Sequence, residues 1–166
     1  MKLKPILFAT LVLLGIFIAS IVINTYQNKD KLTERQNMIH DRGSLVMPFD
    51  LDKTTHSFDK TPDGGIQQVR TKDSNDQEQI LLIRSHLQGE AERFSQGDFG
   101  DPKTLHGEDM PGLDVLSVSQ GKFTVTYQEL SDGAQLSYLT DDPKIIDAFH
   151  LWFMAQMMDH GMDAMN

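Results

Sequence analysis

An uncharged apolar run near the N-terminus constrains this chain more than any other feature. Residues 6–23 read ILFATLVLLGIFIASIVI, and two lysines, Lys2 and Lys4, precede them. A helix of these 18 residues rises about 27 Å, close to the hydrocarbon thickness of a bilayer. The run is longer than the apolar core of a cleaved secretory signal, and it lacks a good small-x-small cleavage site. We therefore predict an uncleaved signal anchor over residues 1–24, with a cleaved signal peptide as the alternative.

The charges beside this run predict its orientation and its partners. The flank before it is purely basic and the flank after it is mixed, so the positive-inside bias favours a cytoplasmic N-terminus. We expect a single-pass protein of a bacterial inner membrane, bound to the membrane through residues 6–23. Its C-terminal domain would lie in the periplasm or outside the cell.

The composition of the remaining chain excludes several classes of function. Residues 25–166 hold 13 basic and 24 acidic side chains, a net charge of −11. A nucleic-acid partner is not expected, because phosphate backbones bind basic surfaces. The chain has no cysteine, which excludes a disulfide framework, thiolate metal sites and a cysteine nucleophile.

The organisation that we predict has three segments. Residues 1–24 form the anchor, residues 25–44 form a polar tether without a long apolar stripe, and residues 45–166 form a single domain. Within that domain, Thr54–Asp59 and Ile66–Lys72 have strand composition and flank a Pro-Asp-Gly-Gly turn, which predicts a hairpin. Three later stretches predict a meander: Leu116–Val118, Lys122–Gln128 and Ala134–Thr140.

Two helices are predicted around these strands. Apolar residues recur at helical spacing from Ile80 to Phe94, after a capping box at Ser74 or Asn75. Asp142 is the predicted N-cap of a second helix, with Pro143 at its first position, and this helix is apolar on nearly every side. Between the two helices, Asp101 and Pro102 predict the N-cap and first position of a short helical turn. The expected fold class is α+β: an antiparallel sheet of hairpin plus three-stranded meander, covered by two amphipathic helices and preceded by an N-terminal transmembrane helix.

The residues of this sequence that suggest a chemical function are histidines and methionines. No nucleophile elbow, phosphate loop or dinucleotide motif is present. His106 and Met110 lie four residues apart, and an imidazole with a thioether suits copper, especially Cu(I). His86 and Glu90 have helical spacing and read most simply as a surface pair. The candidate metal ligands are His56, His86, His106, Met110, His150 and His160.

Several stretches of the domain are similar to one protein family. They are TTHSF (54–58), DGGIQQV (63–69), QILLIRSHLQGEAERFSQGDFGDP (79–102), HGEDMPGL (106–113), YQELSDGAQLSYLTDDP (127–143) and FHLWFMAQMMDHG (149–161). Over about residues 48–161 the chain resembles short exported bacterial proteins often named aspartate carbamoyltransferase. A true transcarbamoylase is a much longer chain with an S-T-R-T-type loop, and this sequence has neither. The resemblance therefore implies a coherent domain that includes the histidines, and not that activity.

Three functions follow as hypotheses. The first is a membrane-anchored extracytoplasmic domain that binds a metal ion, with copper favoured, for sequestration or delivery. The second is an interaction module that docks an envelope protein through its apolar last helix and binds no metal. The third is an enzyme with a histidine general base. This hypothesis ranks last because no acid–base pair can be recognised in the sequence.

Overall fold

The computed structural model describes the backbone of residues 3–161 and 164–165, and the side chains of residues 13–161 and 164. The predicted apolar span therefore begins outside the range of described side chains. The chain divides into two compact units, residues 1–35 and residues 36–166. Helix α1 (Leu3–Val46) supplies the described part of the first unit and begins the second. Among the helices whose residues are described, none has the length and apolar character needed to cross a membrane.

The second unit is α+β. After a short 3-10 turn at Leu51–Lys53, its elements follow in the order β1 (Thr54–Thr61), β2 (Gly64–Thr71), α2 (Gln77–Ser95), α3 (Gly100–His106), α4 (Leu113–Ser117), β3 (Thr124–Leu130), β4 (Gly133–Leu139), α5 (Pro143–His160) and β5 (Ala164–Met165). The strand order is β3-β4-β2-β1-β5. The first four strands pair antiparallel, and β5 adds a short parallel pairing to β1. The predicted α+β class with an antiparallel sheet is confirmed.

One strand of the predicted meander is a helix instead. Leu116–Val118 was expected to be extended, but Leu113 and Leu116 are fully buried on one side of α4. Gly112 precedes this helix with a φ of 86°. A run of only a few apolar residues fits a buried turn of helix as well as a strand, so its composition could not decide between them. The meander is therefore the two-stranded hairpin of β3 and β4.

The end of helix α1 belongs to the domain. The helix continues to Val46, through the residues expected to form a polar tether, and Leu45–Phe49 contains no strand. Ile39 is 2% exposed and packs in the same core cluster as Met47 and Phe49. Burial of these isolated apolar side chains holds the last turns of the helix against the domain, although they make no continuous stripe in the sequence.

The sheet has one apolar and one polar face. Val69, Leu136 and Tyr138 are buried under α2 and α5, whereas Gln68 and Gln135 hydrogen-bond to each other on the opposite face at 2.6 Å. Tyr138 packs against Phe94 of α2 and Trp152 of α5. The two predicted helices therefore cover the same face of the sheet, and the space between them lies over β1 and β2.

The predicted N-cap residues of the helices are confirmed in part. Asp142 caps α5 by accepting a hydrogen bond from the backbone N–H of Lys144 at 2.9 Å, as predicted. The cap of α2 is Asp76, not Ser74 or Asn75. Helix α3 begins at Gly100, one residue before Asp101, so the Asp101 carboxylate does not cap it.

Candidate functional site

A cavity of about 50 Å³ lies between α2, α3, α5 and the β1–β2 hairpin. At roughly 10–15 Å³ for each water-sized group, it has room for about three to five such groups. Most of its wall is apolar, with Phe58, Val69, Leu87, Phe94 and Leu105 among its lining residues. Apolar walls with a few convergent polar groups are typical of small-molecule and cofactor sites.

Four of the six predicted metal ligands line this cavity: His56, His86, His106 and His160. His56 and His160 stack with their ring centroids 4.8 Å apart, and His106 meets His160 edge-on at 5.2 Å. The register of β1 places His56 opposite Val69, on the face that the helices cover. The histidines are scattered through the sequence and are brought together by the tertiary fold.

The other two predicted ligands have structural positions elsewhere. Met110 is 4% exposed and belongs to the apolar core cluster. The Nε2–H of His150 donates to the backbone carbonyls of Thr61 and Gly64, at 2.9 and 3.0 Å, and thereby ties α5 to the hairpin turn. The Met110 thioether that favoured copper is thus absent from the cavity lining, where the methionine present is Met47.

One wall of the cavity brings a histidine and two carboxyl groups together. His86 and Glu90 lie one turn apart on α2, and Asp101 comes from α3. One ligand atom from each residue lies within 4.8 Å of the others. Many proteins bind a divalent cation through one imidazole and two carboxylates. The spacing of His86 and Glu90 was read as a surface pair, but Glu90 is only 4% exposed.

Arg93 holds the two carboxyl groups in place. Its Nη2 contacts Glu90 and donates to Asp101 Oδ2 at 2.8 Å. When both carboxyl groups are ionised, this group of three carries one net negative charge beside the neutral His86. Burial makes an uncompensated charge costly, so this net negative charge favours a bound cation.

Burial also shifts the pKa values of the side chains in this wall. Burial, followed by a hydrogen bond that protonated Glu90 donates to the Asp101 carboxylate, raises the pKa of Glu90 to about 8. Burial lowers the pKa of His86 to about 4, so its imidazole is neutral near pH 7. A neutral imidazole has the lone pair that a metal requires, whereas Glu90 has to lose a proton before it can bind one.

Helix α5 contributes a polar stripe that faces the same space. Trp152, Gln156 and His160 follow at intervals of four residues, and each is less than 8% exposed. Next to them, His106 Nδ1 is 2.8 Å from Asp159 Oδ2, and Nδ1–H donation to this buried carboxylate fixes the orientation of the imidazole ring. Burial, with the neighbouring His56 and His106, lowers the pKa of His160 well below its usual value.

Two atoms of this stripe lack a hydrogen bond. Trp152 Nε1 and Gln156 Oε1 are buried, and neither has a hydrogen-bond partner among the described residues. A buried polar group without a partner costs about 1–3 kcal/mol. Gln156 and Asp159 were not among the predicted site residues, although a glutamine and an aspartate three residues apart in an otherwise apolar helix are a signal of a buried polar stripe.

Comparison with known proteins adds no relative. The chain matches no protein-family model, no curated protein and no solved structure. The geometry of the cavity therefore carries the functional argument.

Proposed function

We propose that this protein is a membrane-anchored extracytoplasmic domain that binds one divalent metal ion, for sequestration or delivery. The observation that carries the proposal is the convergence of His86, Glu90 and Asp101 on one wall of a buried cavity. His56, His106 and His160 line the same cavity and offer further imidazoles. The anchor rests on the sequence of residues 6–23 and on the basic residues before it.

The donor set changes the metal that we favour. Copper was favoured because Met110 offered a thioether, but Met110 packs in the core. One imidazole and two carboxylates suit zinc or a similar borderline cation better than Cu(I), which prefers sulfur ligands. We therefore propose zinc as the first metal to test, with copper as the comparison.

Metal uptake by the purified full chain tests this function. The protein is prepared in detergent without a histidine tag, stripped with a chelator and titrated with Zn²⁺ and Cu²⁺ by calorimetry. We expect about one zinc per chain, and Glu90→Gln should weaken binding at least tenfold because it removes an anionic ligand. Glu92→Gln, an identical change at an exposed position on the same helix, should leave binding unchanged.

Two results would overturn the metal proposal. One is the absence of uptake at micromolar metal by a folded chain. The other is uptake that Glu90→Gln and His86→Ala leave unaffected, which would place the metal elsewhere.

An interaction module remains the second candidate because of one observation. Leu151, Met154 and Met158 lie on the outer side of α5 and are 48%, 43% and 57% exposed. An apolar stripe of this kind is typical of a docking surface. This function would be favoured by a chain that takes up no metal but sediments as a larger assembly, which Met154→Lys then disrupts.

A further inference from the structure

The cavity contains two unmatched hydrogen-bonding atoms that the metal proposal does not use. Trp152 Nε1 is a donor and Gln156 Oε1 is an acceptor, and neither is bonded within the described part of the chain. Their residues are 0% and 5% exposed, and both line the cavity. They lie one helical turn apart on α5, about 6 Å along its axis. A ligand that satisfies both atoms has to present one acceptor and one donor.

The walls of the cavity restrict what that ligand can be. Glu90 and Asp101 line it, and no lysine or arginine is among its described lining residues, so an anion is disfavoured. Phe58, Leu87 and Phe94 present apolar surface, against which an alkyl group can pack. The volume of about 50 Å³ admits only a few heavy atoms.

We propose that the cavity is a binding site for a small neutral amide, or for the terminal amide of a longer molecule. The amide oxygen accepts from Trp152 Nε1–H, and the amide N–H donates to Gln156 Oε1. A short alkyl group on the amide packs against the apolar wall. This site depends on α5 alone for its hydrogen bonds, so it does not require the proposed metal.

Trp152 provides the reporter, because it is the only tryptophan of the chain. Its emission is followed while acetamide is added to the full chain in detergent, after metal removal. We expect a saturable red shift, since a new hydrogen bond to the indole N–H lowers the energy of its excited state. An affinity near 1 mM corresponds to about −4 kcal/mol, which is reasonable for four heavy atoms.

Two related probes test the recognition chemistry on the unaltered protein. Acetate has the same size but a negative charge, and N,N-dimethylacetamide cannot donate to Gln156. We expect each to bind at least tenfold more weakly than acetamide, about 1.4 kcal/mol. Equal responses to all three compounds, or no saturable response to acetamide up to about 100-fold above 1 mM, would overturn the proposal.

A matched pair of variants tests the acceptor. Gln156→Leu keeps the size of the side chain and removes Oε1, and we expect it to weaken acetamide binding at least tenfold. Gln88→Leu makes the same change on the exposed side of α2 and should leave binding unchanged. If zinc binds and acetamide does not, the amide site fails and the proposed metal function stands. If acetamide binds and zinc does not, the amide site stands and the proposed metal function fails.

Discussion

At the scale of single residues, the protein buries carboxyl groups at positions where apolar side chains are usual. Glu90 and Asp159 are 4% and 5% exposed, and each lies beside a cationic or hydrogen-bonding partner that stabilises it. Buried carboxyl groups make a weak contribution to stability, because desolvation cancels much of their attraction to a partner. Glu90 lines the cavity and Asp159 bonds to His106, which also lines it, and such a grouping of buried ionisable residues is typical of a functional site.

The pair of His106 and Asp159 leads to a first prediction. Asp159→Asn removes the negative charge that faces the His106 ring at 2.8 Å. We expect the free energy of unfolding to fall by about 1–3 kcal/mol, measured by urea titration with Trp152 emission. Asp147→Asn, on the exposed side of the same helix, should change stability by less than about 0.5 kcal/mol. Similar losses in the two variants would show that the buried contact is not stabilising.

The shifted pKa values predict how stability of the metal-free protein depends on pH. The pKa of His86 is about 4 in the folded protein against 6.5 in the unfolded chain, so stability is lost as pH falls below 6.5. His160 acts in the same direction. The pKa of Glu90 is about 8 in the folded protein against 4.5 in the unfolded chain. Between these values Glu90 keeps its proton only in the folded protein, so stability is lost as pH rises towards 8. We expect urea midpoints to be highest near pH 6.5.

Glu90→Gln isolates the alkaline side of this profile. Glutamine cannot ionise, so the decline between pH 6.5 and 8 should disappear while the acidic decline remains. Saturating zinc should also flatten the alkaline side, because the metal binds the ionised carboxylate. A profile that is unchanged in Glu90→Gln would mean that another group causes the decline.

At the scale of elements, the cavity depends on how the short connecting helices pack. Helix α4 lies against α5, and Gly112 at its start has a φ of 86°. A Cβ at that position would lie 2.2 Å from the backbone oxygen of Ala148. Only glycine therefore allows this approach, which fixes the position of α5 and of the polar stripe that it carries.

This close approach predicts a difference between two glycine substitutions. Gly112→Ala should lower the free energy of unfolding by more than about 3 kcal/mol, because both backbone strain and the clash with Ala148 act. Gly121 also has a positive φ, 77°, but a Cβ there meets nothing within 4 Å. Gly121→Ala should therefore cost only about 1–2 kcal/mol. Equal losses in thermal or urea unfolding would contradict the packing of α4 on α5.

At the scale of the whole molecule, the proposed anchor makes a prediction about fractionation. We expect the full chain to sediment with membranes and to resist alkaline carbonate extraction. Replacing Leu14 and Ile18 by arginine should release it into the carbonate supernatant, because each charge at the centre of a span costs about 2.5–3.5 kcal/mol. Leu14→Val with Ile18→Val, which keeps the run apolar, is the control. Release of the unaltered chain by carbonate would refute the anchor.

The sequence alone determined most of the local structure. Strand composition on both sides of a Pro-Asp-Gly-Gly turn was enough to predict the hairpin of β1 and β2. Helical spacing was enough to predict α2, and an Asp-Pro start before an apolar stretch was enough to predict α5. The Leu116–Val118 segment could not be assigned in this way, because a short apolar run fits a strand and a buried helical turn equally well. These signals are local, and neighbouring residues carry them.

Which side chains form the cavity depends on the packing of elements that are distant in the sequence. The sequence marked His56, His86, His106 and His160 as candidates, but their proximity depends on the β1 register and on how α2, α3 and α5 pack. The same packing removed Met110 and His150 from the group and added Glu90, Asp101 and Gln156. Burial cannot be read from one residue type, because it depends on neighbours that are distant in the chain. A pair of residues such as His86 and Glu90 therefore reads as a surface pair until the elements that cover it are in place.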